Sequence, residues 1–124
     1  MLIDKRQKTL VIGASLKPNR YSNLAILRLV EKSIRTEAFG LKKGTILGIQ
    51  IKSNFNDFQN IHTVTLYLNP KRQVEYYDLI LNLQPKRVIF NPGTENSEFY
   101  KLLEDKGIEV EVACTLVLLA TDQY

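Results

Sequence analysis

Lys8-Thr9-Leu10-Val11-Ile12-Gly13-Ala14-Ser15 is the stretch that decides the fold. Thr9 to Ile12 is a continuous apolar run, the pattern of a strand covered on both faces. Gly13 ends it, and a polar turn from Ser15 to Tyr21 contains Pro18. Ser22 then reads as a helix cap, and Leu24, Ile26, Leu27, Val30 and Ile34 recur at helical spacing. Arg28, Glu31, Lys32 and Arg35 supply the wet side of that helix.

The same alternation continues outward. Thr36 to Phe39 reads as a second strand, and Gly40-Leu41-Lys42-Lys43-Gly44 as a glycine-bracketed turn. Ile46 to Ile51 suits a short strand weakened by Gly48, and the Asn/Asp-rich Ser53 to Asn60 suits a loop. Thr63 to Leu68, β-branched and aromatic, is the clearest strand. Asn69 ends it and Pro70 opens a helix expected to bury Val74, Tyr77, Ile80, Leu81 and Leu83 before Pro85 stops it. Arg87 to Phe90 is another short strand, and Asn91-Pro92-Gly93-Thr94 a turn. Thr94 is set to cap a helix from Glu95 to Lys106, closed by Gly107. Ile108 to Val112 is the last strand, and Cys114 to Ala120 has no assigned structure.

Repeated strand–helix–strand order implies parallel strands with right-handed crossovers. The expected fold is α/β: a Rossmann-like, doubly wound, mostly parallel sheet of five or six strands, with helices on both faces in three layers. Such sheets bind ligands beyond the carboxyl ends of their strands, beside the first strand. That rule selects the loops after Gly13, Phe39, Leu68 and Phe90 before any motif is considered.

Length and composition agree with one domain over residues 1–124, which buries roughly two-thirds of its unfolded surface. Seventeen basic and thirteen acidic residues give a net charge of +4, spread along the chain. The spread argues against nucleic acid, while the sign favours a small anionic ligand. Cys114 is the single cysteine, so no internal disulfide forms. Met1 to Lys8 is too charged for a leader, and no apolar run approaches the ~20 residues that span a bilayer. The expectation is a cytoplasmic protein with no membrane partner and too few His and Cys for a zinc site. A homodimer is compatible with such a domain.

At the selected strand ends, Gly13-Ala14-Ser15 allows close backbone approach, and the following helix offers unpaired amides to an anion. G-x-G-x-x-G is absent, so Gly13 equally suits a tight strand-to-helix turn. Arg20 could reach a diphosphate bidentately, with Tyr21, Ser22 and Asn23 beside it. A lone loop arginine is also commonly just solvated. The second strand's tip, Gly40-Leu41-Lys42-Lys43, has no acid to accept ribose hydroxyls, and its lysines suit a phosphorylated ribose. Leu68-Asn69 and Asn91-Pro92-Gly93 offer short polar groups, though these are also ordinary turn residues. His62 reads as a rim histidine, and Cys114 as a half-buried small apolar residue.

Several runs, in order, resemble the small stand-alone CoA-binding domain proteins of bacteria: Lys8 to Ser15, Pro18 with Arg20-Tyr21-Ser22-Asn23, Thr63 to Pro70, Asn91 to Asn96 and Ala113 to Leu116. The resemblance covers about residues 8 to 120. The chain is more distantly similar to the nucleotide-binding domain of the succinyl-CoA synthetase α subunit. It lacks that enzyme's active-site histidine and partner domains, so the synthetase reaction does not carry over. The resemblance implies coenzyme A in the crevice, its diphosphate at Gly13 to Asn23 and its phosphorylated ribose near Lys42 or Lys43. No nucleophile–base pair is visible, so the expected role is binding of coenzyme A or an acyl-CoA without catalysis. An NADP- or other dinucleotide-binding enzyme or sensor, and a self-associating scaffold without ligand, remain the alternatives.

Overall fold

The computed structural model describes residues 7–124; Met1 to Arg6, most of the stretch read as too charged for a leader, lie outside the described residues. Buried apolar strands form where expected. β1 (Lys8–Ile12) pairs in parallel with β2 (Thr36–Phe39) on one side and β5 (Ile61–Leu66) on the other. β6 (Arg87–Phe90) and β7 (Glu109–Val112) continue the parallel sheet beyond β5.

On the other flank the expected strand over residues 46–51 splits in two. β3 (Gly44–Ile46) and β4 (Ile49–Lys52) form an antiparallel hairpin, with β4 parallel to β2. The joint is Leu47-Gly48, whose φ angles of 45° and 80° make a two-residue turn of the kind that matches strand twist. Gly48 therefore marks the turn itself, and among the described residues the sheet has seven strands in the order β3-β4-β2-β1-β5-β6-β7. Without the β3 edge, this is the Rossmann order, with the switch point between β1 and β5.

Alternate strand residues face two separate cores. Leu10, Ile12, Val64, Leu66, Val88 and Phe90 meet α3 (Tyr77–Leu83), α4 (Ser97–Asp105) and the loop aromatics Phe55 and Phe58. Val11, Ala38 and Ile89 point the other way, toward α1 (Tyr21–Glu31) and α5 (Thr115–Ala120), the latter formed by the tail that had no assigned structure. Among the described residues no helix is long and apolar enough to cross a membrane.

Several boundaries shift for local reasons. Arg20, not Ser22, occupies the N-cap of α1, and its side chain makes no capping bond; Ser22 is buried within the first turn. β5 starts and stops two residues early, because Leu68 turns inward as a loop residue, 5% exposed. The helix opened by Pro70 is broken: α2 (Pro70–Gln73) gives way to a 3-10 turn, Val74–Tyr76, before α3. The tighter turn rotates the apolar face, so Tyr76 is buried while Val74, expected in the core, is 56% exposed. Asn96, not Thr94, caps α4, accepting from the Phe99 amide, while the Thr94 hydroxyl donates to the Asn91 carbonyl. Ile108, expected to open the last strand, is buried just before β7.

Candidate functional site

A crevice of about 650 Å³ lies over the carboxyl ends of β1, β2, β5 and β6, within the roughly 300–1,000 Å³ of small-molecule sites. Its floor is built by close backbone approach. Gly13 adopts a φ of 94°, which strains any L side chain, and a Cβ there would press on the Tyr67 carbonyl carbon at 3.2 Å. Gly40 presses on the β1–α1 loop, where a Cβ would meet the Ala14 carbonyl oxygen at 2.6 Å. The Gly13 and Ala14 amides both donate to the Phe39 carbonyl, at 3.0 and 2.9 Å. Those two amides are consumed in joining β1 to β2. The first-turn amides of α1, at Tyr21 and Ser22, have no intrahelical acceptor and are open to an anion at this strand end.

Twelve of the residues singled out from sequence line the crevice: Gly13, Ala14, Ser15, Arg20, Tyr21, Ser22, Gly40, Leu41, Lys42, Leu68, Asn69 and Gly93. Three do not. Asn23 is buried and donates to the Ser15 carbonyl at 2.9 Å, holding the loop against α1. Lys43 is exposed outside the lining, which leaves Lys42 as the crevice lysine of that turn. Asn91 is 2% exposed and acts beneath the crevice: its amide donates to the Thr65 hydroxyl and the Leu66 carbonyl, and its Oδ1 accepts from the Thr115 amide.

The lining also contains residues that sequence reading missed. Arg72 and Tyr76 come from the broken helix after β5, Lys17 from the polar turn, and Tyr67 from the end of β5. Arg72 was legible in principle, since Pro70 opens a helix and places residue 72 in its first turn beside Asn69. Gln73 was not. It is fully buried, donates to the Leu68 and Thr94 carbonyls at 2.8 Å each, and accepts from Asn96. It thereby locks the β5 and β6 loops together.

The charge of the crevice is one-sided. Lys17, Arg20, Lys42 and Arg72 line it, and among the described residues no Asp, Glu, His or Cys does. Glu37, the acid nearest the tip of β2, sits within that strand, paired to Lys8 at 3.1 Å and Lys52 at 3.4 Å. None of the four crevice cations has an acidic partner among the described residues. Tyr67 packs its ring at the wall, and burial pushes its phenol up to about 12. Among the described residues its buried hydroxyl has no hydrogen-bond partner within bonding geometry, while the neighbouring Thr65 and Thr115 hydroxyls bond each other at 2.7 Å. His62 is half-buried against the Thr63 hydroxyl at 2.8 Å, and Cys114 is a half-buried free thiol just ahead of α5.

This architecture recurs in known proteins. A solved structure described as an uncharacterized protein is 45% identical, with a TM-score of 0.92, over 95% of this chain and 98% of that one. A hypothetical protein from Pyrococcus horikoshii is 28% identical, with a TM-score of 0.81, over 90% of this chain and 80% of that one. A Thermus thermophilus structure, 21% identical with a TM-score of 0.84 over 95% and 90% of the two chains, shares the fold. No curated protein matches the chain. A family model described as a CoA binding domain matches residues 7–120, and with seven strands, the Rossmann order and a cationic crevice at the switch point, the chain belongs to the CoA binding domain family.

Proposed function

We propose that the protein binds coenzyme A, free or as an acyl thioester, and holds it without transforming it. The observation that carries this reading is the set of four cations lining the switch-point crevice, with no carboxylate in that lining among the described residues. A diphosphate together with a phosphorylated ribose brings roughly four negative charges, and electrostatic complementarity of that order suits four unpaired cations. A nucleotide without the ribose phosphate would leave part of that charge unanswered. Arg20 and the first-turn amides of α1 would hold the diphosphate, with Lys42 at the tip of β2 taking the ribose phosphate. Pantetheine would then run toward Asn69, Gly93 and Thr94. The groups that most often move protons, His and the carboxylates, are missing from the lining, which supports carriage rather than catalysis.

Calorimetric titration with coenzyme A, dephospho-CoA and NADP tests the reading. Coenzyme A is expected to bind tightest. Equal binding of dephospho-CoA would refute the role of Lys42, and tighter binding of NADP would favour a dinucleotide enzyme or sensor. Arg20→Ala is expected to weaken coenzyme A by about 1.5 kcal/mol, near tenfold, the low end for a charge-assisted contact because this side chain is exposed. An unchanged dissociation constant would return Arg20 to solvent.

A further inference from the structure

Tyr76 is a buried aromatic residue on the wall of the crevice. Its ring is 9% exposed and lies 5.2 Å from Phe39 and 6.0 Å, stacked, from Phe55. Its phenol is the one polar group of that side chain, and the residue lines the crevice. A tyrosine anchored in an apolar core at the border of a cavity can donate its hydroxyl proton to a ligand held there.

Arg72 stands four residues earlier on the same helical stretch. Gln73 and Val74 keep right-handed helical backbone, so side chains at 72 and 76 rise on one side, and both line the crevice. The fully buried Gln73 between them fixes the rotation of the segment through its bonds to Leu68 and Thr94. Arg72 lines the crevice without an acidic partner among the described residues. A guanidinium and a phenol hydroxyl, held one turn apart, recognise an oxyanion.

The two walls of the crevice lie on opposite faces of the sheet. α1 packs into the core formed with Val11 and Ile89, whereas Tyr76 packs into the core formed with Ile12 and Phe39. An anion held over the end of β1 by α1 and Arg20 therefore presents its remaining oxygens to the other wall. We propose that Arg72 and Tyr76 form a second anion wall, which grips the ligand's diphosphate from the side opposite α1. This rests on the reading of the crevice as a coenzyme A site.

The test titrates wild type, Tyr76→Phe and Arg72→Gln with three probes that share a diphosphate: coenzyme A, dephospho-CoA and ADP. Tyr76→Phe keeps the ring stacking, so its unfolding midpoint should match wild type. It is expected to weaken all three probes by about tenfold, the loss for one hydrogen bond to a charged group, and Arg72→Gln should weaken them at least as much. A loss confined to coenzyme A would assign the pair to the ribose phosphate and overturn the proposal, as would unchanged affinity for all three. If wild type binds ADP and the variants do not lose it, the wall fails while the site survives. If wild type binds none of the probes, both fail.

Discussion

Gly40 makes a steric claim that one methyl group can check. It is buried at the end of β2, and a Cβ there would sit 2.6 Å from the Ala14 carbonyl oxygen and 3.0 Å from the Ile51 Cγ2. Carbon–oxygen contacts settle at about 3.3 Å or more, so the β1–α1 loop must retreat by roughly 0.7 Å. It is poorly placed to do so, because the Ala14 amide is bonded to Phe39 at 2.9 Å and the Gly40 amide to Lys52 at 3.1 Å. Overpacking of this kind costs about 1–3 kcal/mol, offset by about 0.4–1 kcal/mol from reduced freedom of the unfolded chain. Gly40→Ala should therefore destabilise by about 1–2 kcal/mol and also weaken ligand binding, since Ala14 and Gly40 both line the crevice. Gly44→Ala is the control. The nearest atoms to its Cβ all belong to the Leu16 side chain, at 2.6 and 2.7 Å, and Leu16 is 41% exposed and free to swing aside. That variant should stay within about 0.5 kcal/mol of wild type. Urea unfolding of the three proteins, with slopes compared, reads the difference. Equal stability of the two variants would refute the argument.

Two further outcomes follow from polar groups around the crevice. Tyr67 holds its proton up to about 12 in the folded state because of burial, whereas the unfolded chain releases it near 10. The folded state thus binds more protons in that window; stability is full below pH 10 and falls from pH 10 toward 12, by about 2–3 kcal/mol from this residue at most. Burial raises Tyr124 in the same direction. Unfolding midpoints of wild type and Tyr67→Phe between pH 9 and 11.5 should diverge, with the variant losing less; parallel curves would contradict this. Asn91→Ala removes three buried side-chain hydrogen bonds and strands the Thr115 amide, so thermal unfolding should show a loss of about 3 kcal/mol or more, and a loss under 1 kcal/mol would mean the Asn91 network does little.

Those elements of the fold whose physics is local could be read directly. Thr9 to Ile12 must be a buried strand because it has no wet face, and Pro70 after Asn69 must start a helix because the Asn69 side chain accepts from the Arg72 amide while proline needs no acceptor. The errors fall where the deciding contact is elsewhere. The N-cap of α1 moved from Ser22 to Arg20 because Asn23 is tied to Ser15 across the loop, a pairing eight residues apart that periodicity does not display. The run over residues 46–51 divided because Leu47 and Gly48 both adopt positive φ, and leucine announces no such turn.

The crevice divides in the same way, and the division explains why one wall was visible and the other was not. The α1 wall is made by residues adjacent in sequence, so Gly13, Arg20 and Ser22 could be named from a strand, a turn and a helix start. The opposite wall depends on the break at Val74–Tyr76. A continuous helix would have buried Val74 and Tyr77 and turned Tyr76 to solvent, which is the reading that spacing supports. What forces the break is not at the break. Gln73 must reach the Leu68 and Thr94 carbonyls, Tyr77 must stack on Phe99 at 4.3 Å, and Tyr76 must fill the space beside Phe39. Three consecutive demands within residues 73–77 cannot be met at 100° per residue, and a tighter turn meets them. Arg72 and Tyr76 thereby line the crevice as a consequence of core packing, so this wall is set by apolar contacts far from any ligand motif.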